Sequence, residues 1–313
     1  MAQKAVVNRP GRKKVLGVYF RNNWQLYLLL LIPVIFVIVF KYAAYPGLRM
    51  AFMNYKPAKG YAGSKWVGWE TFEKIFRDKD FHRALKNSLA FNFLDLAIGF
   101  PVPIILALLL NELTHTGFKR ITQTVIYLPH FLSWIIISGL ALRLLAPTDG
   151  LINILLGKAG IAPIPFLNKP NWWVGTYVAL GVWKEAGWNT IIYLAAITSI
   201  SPELYEAAAV DGAGRLRRIW HVTLPGLRST IIVLLIMNLG RILGSEFDRP
   251  YALSNKLVTS ASNVISIFVY QNGIKGSQFS LTTAVGLFQS VIGVFFLLGA
   301  NSLAKKFGER GVW

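Results

Sequence analysis

The chain has 313 residues, 54% of them apolar and only 15% charged, with ten Trp, twelve Tyr and a mean hydropathy of +0.47. Soluble globular domains run near about 25% charged residues, so a single water-soluble enzyme domain is excluded and a chain solvated largely by lipid is expected. The net charge of +19 fits either a nucleic-acid surface or the Lys and Arg that membrane proteins collect in cytoplasmic segments, and the absence of Cys removes disulfides, thiolate nucleophiles and Cys-ligated metals together.

A membrane-spanning helix needs about 20 mostly apolar residues. Six stretches qualify, 24–45, 84–111, 121–146, 172–200, 225–245 and 282–304, which predicts an all-α integral membrane protein with six transmembrane helices. A basic leader, 1–23, carries Lys4, Arg9, Arg12, Lys13, Lys14 and Arg21 and places the N-terminus in the cytoplasm. The first apolar run continues past Lys41 without a small-x-small exit, which favours an anchor over a cleaved signal peptide. Next comes an extracytoplasmic loop, 46–83; from it into the second span Phe72, Ile75, Phe76, Phe81 and Leu85 recur near helical spacing. The stretch 69–86 therefore reads as one amphipathic helix at the outer interface. Residues 84–304 form a core of five spans. Gly99-Phe-Pro101-Val-Pro103 and Tyr127-Leu-Pro129-His130 predict kinks in the second and third spans. The segment 246–281, aromatic-rich but polar, reads as a surface element, and the tail 305–313 returns to the cytoplasm. Charge scattered over both faces excludes a nucleic-acid partner.

The loop 201–225 stands apart. Ser201 suits an N-cap, Pro202 the first helical position and Glu203 the positive helix end. Gly212 and Gly214 interrupt the helix, and a second apolar-periodic piece with Leu216, Ile219 and Trp220 leads to the Leu224-Pro225 that opens the fifth span. Small side chains at Ala207, Ala208, Ala209 and Ala213 allow close approach by another protein, and Glu206 offers a carboxylate to Arg or Lys. By physics alone both a docking element and an ordinary loop helix remain open.

The run Glu206-Ala207-Ala208-x-x-Asp211-Gly212-Ala213, with Ile219 and Val222-x-Leu224-Pro225 after it, resembles the EAA loop of permease subunits of ATP-binding-cassette importers. Asn23-Trp-Gln-Leu-Tyr27, Tyr127-Leu-Pro-His-Phe131 and Trp183-Lys-Glu-x-Gly187 resemble the branch serving oligosaccharide and polysaccharide uptake, and the likeness covers about 20–308. Ser229 departs from it, since many relatives carry Pro there. The resemblance implies a type I importer (MetI-like) permease fold in the bacterial cytoplasmic membrane. It implies that Glu206 contacts an ATPase subunit, that Gly212 makes the bend, and that Ala207, Ala208, Asp211 and Ala213 shape the joint. It also implies an ATPase dimer using ATP and Mg, a second homologous permease, usually different from the first, and an extracytoplasmic solute-binding protein that delivers a saccharide. This chain itself lacks the G-x-x-x-x-G-K-[ST] phosphate loop, so no cofactor and no catalytic residue is expected in it.

Ionisable residues at bilayer depth are costly. Lys86, Arg143 and Arg241 fall near outer span ends, where they can snorkel. Asp95, Lys184 and Glu185 fall near mid-depth. Adjacent helix positions point about 100° apart, so Lys184 and Glu185 need not pair, and Asp95 or a partner subunit is expected to neutralise Lys184. Trp183, Glu185, Trp188, Asn189, Asn238 and Gln289 are the candidates for a path in which rings stack on sugars and amides bind hydroxyls; a buried ion pair holding the bundle together is an equal alternative. A secondary transporter would need ion sites and repeated halves, and would leave the EAA loop unexplained. An intramembrane enzyme finds no H-E-x-x-H or G-x-S-x-G, and the four His (82, 115, 130, 221) are scattered, so no metal site is expected.

Overall fold

The computed structural model describes Tyr19, residues 21–244 and 246–306, Gly308 and Gly311. Lys4, Arg9, Arg12, Lys13 and Lys14 of the leader and Arg310 of the tail lie outside the described residues. The chain divides into two units, Met1–Met50 and Ala51–Trp313. In the first, helix α1 (Trp24–Val37) runs on as a π-helical turn, Ile38–Tyr42. Its Leu, Ile, Val and Phe side chains are exposed, a surface suited to lipid rather than water.

The second unit starts with a short antiparallel pair, β1 (Met53–Asn54) and β2 (Lys65–Trp66), with Met53 opposite Trp66. Two helices follow, α2 (Glu70–Arg77) and α3 (Lys79–Leu94). Between them Asp78 leaves helical geometry, and its carboxylate accepts from the backbone N–H groups of Asp80 and Phe81, an N-cap that starts α3 afresh. The single interfacial helix expected over 69–86 is thus two helices, and its second half already belongs to the second span. Ile75, Phe81 and Ala84 pack with Ile242, Leu243, Phe268 and Ala284 instead of facing headgroups. On the open side of α2, Lys74 lies 2.8 Å from Glu70 and holds its carboxyl below the usual range.

Helix α3 passes through a π-helical turn, Asp95–Gly99, into α4 (Pro101–Glu112), one run from Lys79 to Glu112. The stretch expected to be a third span, 121–146, is broken: α5 (Thr116–Tyr127) and α6 (Trp134–Leu144) meet at 101° across the 3₁₀ turn Leu128–Phe131. Pro129 cannot donate within a helix, and the Ser133 hydroxyl accepts from Ile136 N–H to restart one. Then come α7 (Leu151–Lys158), α8 (Pro170–Thr198), α9 (Pro202–Val210), α10 (Arg215–Arg218) and α11 (Leu224–Gly240). The last elements are α12 (Asp248–Leu253), α13 (Thr259–Ser262), α14 (Ile265–Val269) and α15 (Phe279–Lys306). By length and composition four helical runs among the described residues can cross a membrane, or five with the bent pair as one. At 29 residues α8 has the length, but its Trp, Tyr, Gly and Asn residues dilute its hydropathy.

The segment expected at the surface, 246–281, folds inward in part, while 274–278 stay exposed. Arg249, Pro250, Leu253, Val258, Val264, Ile265, Ile267 and Phe268 are buried. Side chains of the bundle hold its backbone: Asn87 donates to the carbonyls of Ser260 and Asn263, Trp173 donates to that of Leu253, and Ser88 accepts from Ile265 N–H. These bonds satisfy irregular backbone that lipid could not.

Helices α5 and α8 cross at Gly187. A Cβ there would collide with the Ile126 carbonyl oxygen, so Gly187→Ala has to push the two helices apart. The overpacking should cost about 1–3 kcal/mol and lower the thermal unfolding midpoint of the purified chain; an unchanged midpoint would show that α5 yields freely.

Candidate translocation cavity and coupling segment

Four elements bring ionisable groups into one interior network. Asp95, at the π-helical turn after α3, takes Arg249 of α12 in a bidentate pair, Nη1 to Oδ2 at 2.8 Å and Nη2 to Oδ1 at 3.2 Å. Arg249 Nη2 also donates to the Tyr177 carbonyl at 2.7 Å, and the guanidinium lies 3.7 Å from the centre of the Tyr177 ring. Gly181 makes the room, since a Cβ there would collide with the guanidinium. One helical turn further along α8, Lys184 donates to the His130 carbonyl at 2.6 Å and stands 3.2 Å from Glu185. Glu185 in turn lies 3.0 Å from His130 Nδ1, and the His130 ring stacks on Trp188, 4.5 Å away and 3° from parallel. Trp134 joins the halves: its indole N–H donates to Glu246, and the Lys184 and Arg249 cations sit 5.8 and 5.5 Å from its ring centre.

Two expectations are corrected here. Asp95 neutralises Arg249, not Lys184, and Lys184 pairs with its own neighbour Glu185. The Lys stem is long and flexible enough to swing across the angle between adjacent positions while a carbonyl freed at the Leu128–Phe131 turn fixes its end. Arg249 and Glu246 went unrecognised in the sequence because 246–281 reads as surface. The usable signal was Asp95 itself, a carboxylate at bilayer depth that requires a cation somewhere in the chain.

Against this network lies a partly open cavity of about 530 Å³ whose wall includes Asn92, Asp95, Glu185, Asn189, Asn238 and Arg241. Its size and mixed polar lining suit a sugar-sized ligand. Three path candidates, Glu185, Asn189 and Asn238, stand on that wall. The other three lie elsewhere: Trp183 borders a separate apolar hollow with Leu94, Ile98 and Val178, Trp188 stacks on His130, and Gln289 donates to the Leu243 carbonyl at 2.6 Å beside a groove along α11 and α15. Arg241, expected to snorkel outward, faces both the cavity and that groove. No group of three or more His, Asp or Glu that could hold a metal occurs among the described residues.

The segment 201–225 forms a helix, a bend and a second helix. Ser201 precedes α9 without a side-chain cap bond. The end of α9 is a Schellman turn: Ala213 N–H reaches the Ala208 carbonyl, Gly212 N–H reaches that of Ala209, and Gly212 takes φ +74°. A residue with a Cβ is strained there. Leu224-Pro225 opens the α-helix α11, as expected, but without a break before it. One helical run extends from Arg215 to Gly240, and a π-helical stretch, Ile219–Thr223, absorbs the carbonyl that Pro225 cannot satisfy. Leu204, Val210, Leu216 and Trp220 are exposed, Val210 by 89%. Tyr205 of α9 bonds the buried Thr223 hydroxyl at 3.0 Å, and Ile200 packs on Gly226, so the segment is tied to the start of α11.

An interior polar cavity, helices of membrane length and an exposed motif-bearing segment tied to a span define a membrane transport subunit. This chain belongs to the family of binding-protein-dependent transport system inner membrane components, which matches residues 99–308. It is a permease of that class, a transport component rather than a catalytic one. It is 45% identical over 312 residues to the polygalacturonan/rhamnogalacturonan transport system permease protein YteP of Bacillus subtilis strain 168, covering 100% of this chain and 97% of that one. Protein LplB of the same organism is 44% identical over 293 residues, 94% of this chain and 92% of that one. Among solved structures, a bacterial ABC transporter involved in the import of the acidic polysaccharide alginate contains a chain that matches with a TM-score of 0.84 and 38% identity, covering 93% of this chain and 98% of that one. A second structure of an alginate transporter, in complex with its alginate pentasaccharide-bound periplasmic protein, matches with the same score over 94% and 98%.

Proposed function

We propose that this chain is one of two homologous permease subunits of an importer for oligosaccharides or polysaccharide fragments. It sits in the bacterial cytoplasmic membrane, with six spans and both termini inside. The observation that carries the reading is the Pro202–Val210 helix, exposed and yet tied through Tyr205 to Thr223 at the foot of a span. Such a helix transmits movement of a docked ATPase to the bundle. ATP and Mg belong to that ATPase dimer, in which Glu206 meets a cation and Ala207, Ala208, Asp211, Gly212 and Ala213 fit the joint. An extracytoplasmic binding protein delivers the saccharide. The similar proteins named for polygalacturonan, rhamnogalacturonan and alginate support a saccharide cargo, and the carboxylate and amides of the cavity supply hydroxyl partners.

The test is reconstitution in liposomes with a second permease, an ATPase and a binding protein of the same importer class. Uptake of labelled oligosaccharide should require both ATP and the binding protein; uptake driven by an ion gradient alone would transfer the chain to the secondary transporters. In the same assay Glu185→Gln should lower uptake about tenfold, the order expected for losing one charged hydrogen bond. Unchanged uptake and unchanged ATP coupling would remove Glu185 from the path.

A further inference from the structure

The antiparallel pair β1–β2 carries a cluster of rings at the surface. Phe52 stacks on Trp66 at 5.8 Å, meets Trp69 edge-on at 5.4 Å and lies 5.4 Å from Phe72. The Val67 and Gly68 N–H groups both donate to the Phe52 carbonyl, at 2.9 and 3.1 Å, and Gly68 takes φ +56°. That turn leads the chain from β2 toward α2 and leaves both indoles against one ring. Trp66 stays 60% exposed and Trp69 67%, a bare aromatic surface of the kind that marks contact with lipid or protein.

The fold sets the level at which the indoles stand. Tyr55 N–H donates to the Ser280 hydroxyl at 2.8 Å, which pins the hairpin to the first turn of α15, and Phe76 of α2 meets Phe288 of the same helix edge-on at 5.4 Å. At about 1.5 Å of rise per residue these two levels lie about 12 Å apart. Helix α15 carries no charge before Lys305 and Lys306. Measured from Lys305, a hydrocarbon core about 30 Å thick takes about 20 residues and ends at about residue 285. Phe288 then lies just inside the core and Ser280 about 7 Å outside it, in the headgroup layer. Phe76 is exposed beside Phe288, and Val291 and Phe295 continue the bare face of α15 into the core. The patch therefore joins lipid-facing surface, which favours lipid over a protein as its cover.

An indole suits the headgroup layer because its ring is apolar and its N–H can donate to ester or phosphate oxygens. Neither the Trp66 nor the Trp69 N–H is bonded among the described residues. The hairpin also exposes Lys56, Lys59 and Lys65, cations that lipid phosphates attract. We propose that Trp66 and Trp69 seat this hairpin in the phospholipid headgroup layer. Held there, the hairpin fixes the depth of one end of α15 through Tyr55 and Ser280. The leaflet is the outer one on the orientation proposed above.

The chain has no Cys, so Trp66→Cys or Trp69→Cys takes a single nitroxide label, and each variant keeps the other indole. The labelled chain is assembled with Cys-free partner subunits in nanodiscs of phosphatidylcholine and phosphatidylglycerol. Power saturation against oxygen and a water-soluble nickel chelate should place either label at the level of a headgroup-labelled lipid, within about 7 Å of the hydrocarbon edge. Val291→Cys, the reference for the span, should read as an acyl-chain label. Nickel accessibility equal to that of free label would put the indoles in water and overturn the proposal. Protection from both reagents would show that a protein subunit covers them, with the same consequence, and so would a depth equal to that of Val291. A Val291 label that reads as water would remove the span reading of α15 and the proposal together.

Discussion

Arg249→Met should lower the stability of the folded chain by about 3 kcal/mol, the low end of what breaking a buried ion pair costs. The low end applies because the Asp95 side chain keeps a third of its surface open toward the cavity, whereas Arg249 is 7% exposed. The loss has three parts: the bidentate pair with Asp95, the bond to the Tyr177 carbonyl and the packing over the Tyr177 ring. What remains is a carboxylate at bilayer depth with no cation, a larger penalty than the missing bonds. Thermal unfolding of the purified chain should show a single lowered midpoint. The double variant Asp95→Asn with Arg249→Met should recover most of it, because no orphaned charge is left. If the double variant is as unstable as the single, the pairing contributes little and Arg249 acts mainly by packing.

Charge reversal at Glu206 should separate the permease from its motor while leaving the fold alone. Glu206 is exposed on α9, away from the Tyr205–Thr223 bond. Glu206→Lys should therefore leave the unfolding midpoint unchanged. It puts a cation where the proposed joint needs an anion, and removing one member of a desolvated interfacial charge pair costs 2–5 kcal/mol. Affinity for the ATPase subunit should fall about 30-fold or more, read as loss of co-purification and of binding-protein-stimulated ATP hydrolysis. Full retention of ATPase binding would overturn the placement of the coupling contact on this helix.

Features written in contiguous residues were legible from the sequence. The turn at Gly212 is one: a glycine after an alanine-rich helix meets the left-handed φ that a Schellman turn requires. The bend at Pro129 is another, since a proline removes a helix donor wherever it stands, although only the folded chain sets its angle at 101°. Harder cases were those in which polar residues are paired far along the chain. Arg249 looked like loop surface because its neighbours are polar, yet it is buried through contacts 154 and 72 residues away. The 69–86 stretch has helical spacing throughout, and one capping side chain, Asp78, divides it.

By itself the sequence determined that this protein lives in a membrane, that its helices begin and bend at particular caps, glycines and prolines, and that the segment 201–225 carries a motif resembling the EAA loop. Each of these depends on hydropathy or backbone preference within a few turns of chain. Tertiary structure alone decided that Asp95 meets Arg249, that Lys184 meets Glu185 beneath the His130 carbonyl, that much of 249–268 folds inward, and that Arg241 lines a cavity. The physical reason is that lipid demands a partner for every buried charge and irregular backbone group, and the choice among distant partners depends on how the helices cross.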